Sequence, residues 1–387
     1  MSRQHVIIGI DLNRTSPQIC TYERESGDTQ IAPMKAGNEI GSLQETFETL
    51  ERLHGEGRLH AEAMEALQEE GALFLKQAFE TRGITDLREQ ILGITVTVER
   101  LTRPLVKWIR GMFYRLELER ERTFVQDYRE SMYYHTVYQK PELWQRNVGF
   151  FLFNERDVTF FSMSTDNMAR PMTARIDEGI TIHLAEDRHR WDEQLYNMAN
   201  ASLRQNLYSS LFLVGETFDK SWAGRSIGLL CKGGRKVFVV DNLFARGACY
   251  AAREKTDERQ RNEYLYISDD LVRNSIGMDM TIQGLETFYP LLSAGVNWYE
   301  TEKECECLLT DKPELIFVIG DAQEERKQLL RMALPGMPPR PPKATRIRLH
   351  LMYIAPGKCQ IEVEDLGFGE LYPSSGKVWR ELWENKT

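Results

Sequence analysis

Short apolar runs alternate with stretches of helical periodicity through the first two thirds of the chain. Val6 to Ile10 is a β-branched run ending at Asp11, and Gln18 to Glu23 alternates apolar with polar after the Pro17 turn, so a β-hairpin is expected. From Leu43 to Arg82 the apolar period becomes helical, with a break near Gly55 and Gly57, which predicts two helices. Gln90 to Val98 reads as a buried strand and Leu101 to Leu116 as the helix after it. A short strand over Arg122 to Gln126 and a helix over Arg129 to Gln139, closed by Pro141, follow. Asn147 to Met163 is an apolar strand, a charged turn and a second apolar strand, repeating the pattern of the first hairpin. The alternation continues with a long helix over Asp187 to Asn206, a strand over Leu211 to Gly215 and a helix over Ser221 to Cys231. A strand over Lys236 to Val240 and a helix over Asn242 to Arg253, with Gly247 and Ala248 at a close-packed point, complete it. Such alternation implies an α/β domain.

Beyond about residue 257 the pattern changes to short strands and turns. Tyr264 to Leu309, Glu314 to Ile319, Arg346 to Tyr353 and Cys359 to Glu364 read as β structure, the last two paired around Ala355-Pro356-Gly357. The connector Leu334 to Lys343 (LPGMPPRPPK) is not helical, because each proline fixes φ and lacks an amide hydrogen. A short helix is expected near Val378 to Glu384. Two domains result, 1–257 and 258–387, with a helical segment at 38–88 inside the first.

Composition narrows the function classes. The 387 residues carry 42% apolar and 28% charged side chains, the balance of a globular chain, and the net charge of -9 argues against a general nucleic-acid binder. The first residues lack the apolar core of a secretory signal, and no stretch approaches the roughly 18 apolar residues of a membrane helix. A cytoplasmic protein with no membrane partner is expected. The six cysteines are scattered, and Cys305-x-Cys307 lacks the second ligand pair of a zinc site, so reduced thiols and no metal centre are expected.

Taken in order, several segments resemble the actin-like ATPase superfamily, specifically the DnaK-type heat-shock chaperones. Residues 7–22 (IIGIDLNRTSPQICTY) resemble that family's first phosphate hairpin, and Asn147 to Met163 falls where its second belongs. Leu211 to Ser226 (LFLVGETFDKSWAGRS) resembles the adenosine motif, and Asp241 to Ala252 (DNLFARGACYAA) the second connecting helix. PPRPPKATRIRL and IEVEDLGFGE are similar to the family's β-sandwich substrate domain. The resemblance implies an actin-like, ribonuclease-H-like, two-lobed nucleotide-binding core followed by an all-β sandwich-like domain. It also implies that ATP or ADP with Mg2+ would sit between the lobes near Asp11, Asn13, Arg14, Asn154, Asp157, Gly215 and Glu216, with Asp127 where the family orients the attacking water.

The departures from that pattern carry the functional expectation. Phosphate loops need small residues so that backbone amides approach the oxygens. Here Asn13 and Arg14 replace a glycine and a small polar residue, the second turn is Phe153-Asn154-Glu155-Arg156-Asp157-Val158 without glycine, and Glu216 follows Gly215 where a second glycine is expected. Each candidate also has a plainer role: Asp11 as a turn residue ending a strand, Asp127 as a helix N-cap, Gly215 as a packing glycine, and Asp365-Leu366-Gly367-Phe368-Gly369 as a turn between strands. The expectation is a pseudo-ATPase or weak nucleotide binder acting through protein partners. Its rivals are an active ATPase holding Mg2+ with Asp11, Asp127 and Asp157, and a filament-forming protein.

Overall fold

The computed structural model describes residues 5–12, 17–24, 29–33, 41–215, 217–256, 263–310, 312–321 and 327–385. The chain divides into two compact units, Met1–Ser268 and Asp269–Thr387. The division falls beyond residue 257 because a short strand at Tyr264–Tyr266 still pairs within the first unit.

In the first unit, β1 (Val6–Asp11), β2 (Gln18–Glu23), β3 (Thr29–Pro33), β4 (Ile91–Val98) and β5 (Thr123–Asp127) form a sheet ordered β3-β2-β1-β4-β5. The first three are an antiparallel meander, while β4 and β5 add in parallel to β1. A second sheet repeats this order. Its meander is β6 (Asn147–Asn154), β7 (Asp157–Asp166) and β8 (Met172–Ile176), and β10 (Tyr208–Val214) and β11 (Lys236–Val239) add in parallel beside β6. β9 (Ile180–His183) continues the β8 side along β7, and β12 (Tyr264–Tyr266) extends the edge. The expected hairpins are both present. β3, β8 and β9 were not legible as strands because each is short and half polar.

The helices follow from capping and periodicity. α1 (Gly41–Gly55) and α2 (Ala61–Glu80) flank the glycine break, and a single turn, α3 (Leu87–Gln90), precedes β4. α4 (Arg103–Arg115) starts at Thr102, whose side chain accepts from the Leu105 amide, with proline in its first turn. α5 (Tyr128–Val137) starts at Asp127 in the same manner. Asp187 to Asn206 is not one long helix: Asp187 caps a 3-10 turn at Arg188–Arg190, and α6 spans Trp191–Ser202. α7 (Gly224–Leu230) and α8 (Leu243–Thr256) complete the unit.

Two helices are exchanged between the sheets. α5 leaves the first sheet yet packs Tyr128, Met132 and Tyr133 against Val148, Phe150 and Phe212 of the second. α8 leaves the second sheet and lays Ala245, Cys249 and Ala252 on Ile7 and Cys20 of the first. The approach is backbone to backbone. A Cβ on Gly9 would lie 2.2 Å from the Ala245 carbonyl oxygen, and one on Gly247 would lie 2.1 Å from that of Ser131.

The second unit is antiparallel throughout. One sheet is ordered β14 (Leu285–Leu292), β13 (Asn274–Ile282), β16 (Glu314–Asp321), β17 (Lys327–Ala333). The other is β15 (Glu302–Leu309), β18 (Thr345–Ala355), β19 (Lys358–Gly367), β20 (Val378–Glu384). The expected helix at Val378 to Glu384 is therefore a strand. Its apolar residues have near-helical spacing, but the open edge of β19 offers a full hydrogen-bond ladder, and Trp383 is buried through that pairing. β18 and β19 alternate strictly, burying Ile347, Leu349, Leu351 and Tyr353 opposite Ile361 and Val363. The Tyr353 hydroxyl donates to the Asn274 carbonyl at 2.7 Å and ties the two sheets together.

The Asp365 loop is a structural knot. Arg340, from the proline-rich connector, donates two hydrogen bonds to the Asp365 carboxylate at 2.7 and 2.8 Å, and both side chains are buried. Burial opposes the charge of Asp365, but the hydrogen bonds from Arg340, Ser375 and Gly367 outweigh it and hold the carboxyl well below the usual carboxylate range.

Two substitutions test these packing claims by urea denaturation. Gly247→Ala forces a methyl onto the Ser131 carbonyl and is expected to destabilise the first unit by about 1–3 kcal/mol; an unchanged midpoint would contradict the close crossing. Asp365→Ala strands the buried Arg340 cation and is expected to destabilise the second unit by about 3–5 kcal/mol.

Candidate functional site

The point where β1, β4, β5, α5 and α8 converge holds the candidate acid. Asp11 ends β1, in register with Gln18 on one side and Thr97 on the other, and is only 4% exposed. The Tyr128 hydroxyl donates to its Oδ1 at 2.8 Å. That tyrosine is the first residue of α5, and its ring stacks on Phe244 of α8 at 3.6 Å between centroids and 10° between planes. Burial raises the Asp11 pKa to about 7, with the Tyr128 hydrogen bond pulling the other way.

Asp127 is committed elsewhere. Its side chain accepts from the Glu130 amide at 2.8 Å, capping α5, and takes an ion pair from Arg129 at 3.0 Å. Behind it runs a buried hydroxyl relay. Gln126 Nε2 donates to Ser131 Oγ, Ser131 Oγ to Thr97 Oγ1, and Thr97 Oγ1 to the Asp127 carbonyl. These bonds satisfy polar groups that the close approach of α5 would otherwise strand without water.

The second hairpin turns through Glu155 and Arg156, with Asn154 facing Asp157 across it and Glu155 at φ 51°. Both Asn154 and Asp157 are exposed, and Asp157 is bonded to His183 Nδ1 of β9 at 2.6 Å. Gly215 does have the conformation only glycine takes easily, φ 116°, but it faces protein: a Cβ there would lie 2.0 Å from the Phe153 carbonyl oxygen. Asn13, Arg14 and Glu216 lie outside the described residues.

The structure thus brings Asp11 next to Gln18 and Tyr128, the latter backed by Phe244, and it leaves Asp157 on a separate hairpin. Among the described residues no group of three His, Cys, Asp or Glu side chains is placed to hold a metal ion, so the arrangement of Asp11, Asp127 and Asp157 around one Mg2+ is not formed. Gln18 Nε2 donates to the Asp241 carbonyl at 2.8 Å, joining the first hairpin to the start of α8. Tyr128, Phe244 and the Gln18–Asp241 contact had no signal in the sequence, since each partner is more than a hundred residues from the other. Among the described helices none is long and apolar enough to cross a membrane.

A family model described as "Family of unknown function (DUF5716) C-terminal" matches residues 49–269, and one described as "Domain of unknown function (DUF8552)" matches 271–384. No curated protein matches. Among solved structures the chain is similar to a Bacteroides thetaiotaomicron protein with actin-like ATPase fold and unknown function, at 9% identity over 64% of this chain and 96% of that one, with a TM-score of 0.34. It is also similar to the Aquifex aeolicus Ppx/GppA phosphatase, at 12% identity over 55% and 68% of the two chains, with a TM-score of 0.31. A third is Thermus thermophilus RuvC, at 13% identity over 28% and 74%, with a TM-score of 0.22. At these scores the likenesses stand as observations only, and the fold rests on the two strand orders above.

The buried acid has a pH signature. Between the ordinary carboxylate value and about 7, folded Asp11 keeps a proton that the unfolded chain has released, so its contribution to stability falls as pH rises through that window. His135 works oppositely: burial, with Arg246 nearby, lowers its pKa to about 3, so it costs stability as pH drops below its ordinary value. The difference between wild type and Asp11→Asn isolates the first effect. Urea midpoints at about pH 5 and about pH 8 should show the wild type losing stability relative to the variant at the higher pH. Parallel profiles would contradict the burial of Asp11.

Proposed function

The chain belongs to the DUF5716 family, and from the geometry of its first unit we propose that it is an actin-like, two-lobed protein whose interlobe cleft has exchanged nucleotide chemistry for packing and which acts through protein partners. The duplicated strand order and the exchanged helices α5 and α8 support the actin-like reading, as does the resemblance of the hairpin and connecting segments to DnaK-type chaperones. The observation that carries the proposal is the Tyr128–Asp11 contact. In the reading drawn from the resemblance, Asp11 holds a hydrated metal at the phosphates. Here the hydroxyl of Tyr128, whose ring is backed by Phe244, donates to that carboxyl instead, at a pKa that leaves it partly neutral near pH 7.

The turns point the same way. A triphosphate is cradled by backbone amides that only small residues leave open, and the second turn presents Glu155 and Asp157, two negative charges that repel phosphate. Asp127 is held by its helix cap and by Arg129. The resulting molecule is a rigid scaffold rather than a motor.

Calorimetric titration with MgATP and a phosphate-release assay on the full chain test this. No magnesium-dependent binding heat and no turnover above background are expected. Turnover that disappears in Asp11→Ala would refute the loss of nucleotide chemistry.

A further inference from the structure

The hairpin of β13 and β14 overhangs its sheet. β16 joins β13 only over Asn274–Gly277, so Met278–Ile282 and Leu285–Tyr289 form a two-stranded ribbon, an arrangement of marginal stability in water. Among the described residues no strand pairs with the outer side of β14. Charge guards the other margins of the second unit: β17 carries Lys327 and Arg331, β15 carries Lys303 and three glutamates, and β20 carries Arg380, Glu381 and Glu384. β14 has a single charge, Glu286, and its Leu285 and Phe288 are 71% and 49% exposed. A Cβ on Gly277 would lie 2.4 Å from the Phe288 ring, which therefore leans back over β13 and leaves the edge open.

The turn fixes which backbone groups face that edge. Gln283 and Gly284 both have positive φ, 52° and 86°, a two-residue I′ loop that closes on Ile282 and Leu285. The Leu285 amide thus bonds to β13, and the ladder alternates from there. Thr287 and Tyr289 also turn their amides and carbonyls to β13, whereas Glu286, Phe288 and Pro290 turn theirs outward. Pro290 has no amide hydrogen to offer, and a bulge at Leu291 follows, so the usable edge is Leu285–Tyr289.

We infer that this edge pairs with the same edge of a second copy, antiparallel about a two-fold axis perpendicular to the sheet, with Thr287 opposite Thr287. Glu286 of each copy then exchanges both backbone hydrogen bonds with Phe288 of the other. Leu285 lies beside Tyr289 of the second copy, on the face that holds Met278, so the exposed leucine gains an apolar neighbour. Neighbouring registers are worse. Centring on Glu286 sets two carboxylates opposite each other, and centring on Phe288 sets Glu286 against Pro290 with a donor missing. A foreign strand would leave its own outer edge bare, whereas a second copy covers both edges and closes the assembly. Leu285–Tyr289 spans about 17 Å at about 3.4 Å per residue, so the contact belongs with weak, transient interfaces, with Kd on the order of 100 µM.

The inference stands on the second unit, whether or not the first binds nucleotide. Sedimentation equilibrium of the full chain from about 10 µM to about 500 µM tests it, with wild type expected to pass from mostly monomer to mostly dimer. Thr287→Lys and Thr287→Glu each set like charges opposite one another and should weaken dimerisation roughly tenfold or more. Mixed in equal amounts they should dimerise with each other, because the axis then holds opposite charges. Thr287 is exposed, and melting curves establish that both variants are folded. Cross-linking gives an independent reading, with the exposed Cys231 replaced by Ser, and decides the matter if either charge variant melts early. Thr287→Cys should form an inter-chain disulfide in a glutathione redox buffer, since a non-hydrogen-bonded pair sets the two Cα atoms about 4.5 Å apart. Leu285→Cys, out of register with its own copy, should not. A wild type still monomeric at about 500 µM, charge variants that dimerise like wild type, a mixture that stays monomeric, or equal cross-linking at both cysteine positions would overturn the inference.

Discussion

Everything in the first unit depends on how closely α8 can lie against β1 and α5. Gly9 and Gly247 remove the two side-chain atoms that would hold the backbones apart. With that approach allowed, Phe244 comes to rest on Tyr128, and Tyr128 in turn delivers its hydroxyl to Asp11. The same closeness dehydrates the start of α5, which is why Gln126, Ser131 and Thr97 bond to one another rather than to water. Gly9 admits α8 to the strand and Gly247 admits it to the neighbouring helix. The stacked Tyr128 and Phe244 rings and the Gln18–Asp241 bond add side-chain contacts between the elements brought together there.

The consequences for chemistry follow from crowding and charge rather than from any missing acid. Asp11 is buried at the end of β1, hydrogen-bonded by the Tyr128 hydroxyl and costly to ionise. Asp157 is exposed, yet its hairpin presents no glycine amides to a phosphate and it is bonded to His183. The second unit builds its stability separately, through alternating apolar faces and the Arg340–Asp365 pair. There the Asp365 carboxylate, near the end of β19, is met by a guanidinium from the proline-rich connector of its own chain.

What the sequence reveals divides along physical lines. β1, β2, β4, β6, β7, β18 and β19 were legible because β-branched or strictly alternating residues face a core on one or both sides. β20 was not, because its spacing of Val378, Trp379, Leu382 and Trp383 suits a helix and only the unpaired edge of β19 decides otherwise. α6 is shorter than its apolar period suggested, since Asp187 caps a 3-10 turn ahead of it. At the site, Asp11 and the glycine-free second turn were visible as residues in a pattern. The residue that matters most beside them, Tyr128, lay just ahead of the helix expected over Arg129 to Gln139 and carried no signal, because its contact with Asp11 exists only once β1, β5 and α5 have assembled.

The most direct test of this account is a crystal structure of the full chain soaked with magnesium and ADP. The account predicts the Tyr128 hydroxyl still on Asp11, the ring still stacked on Phe244, and no nucleotide density between the two sheets. Phosphates bound beside Asp11 through magnesium, with Tyr128 swung away, would contradict it.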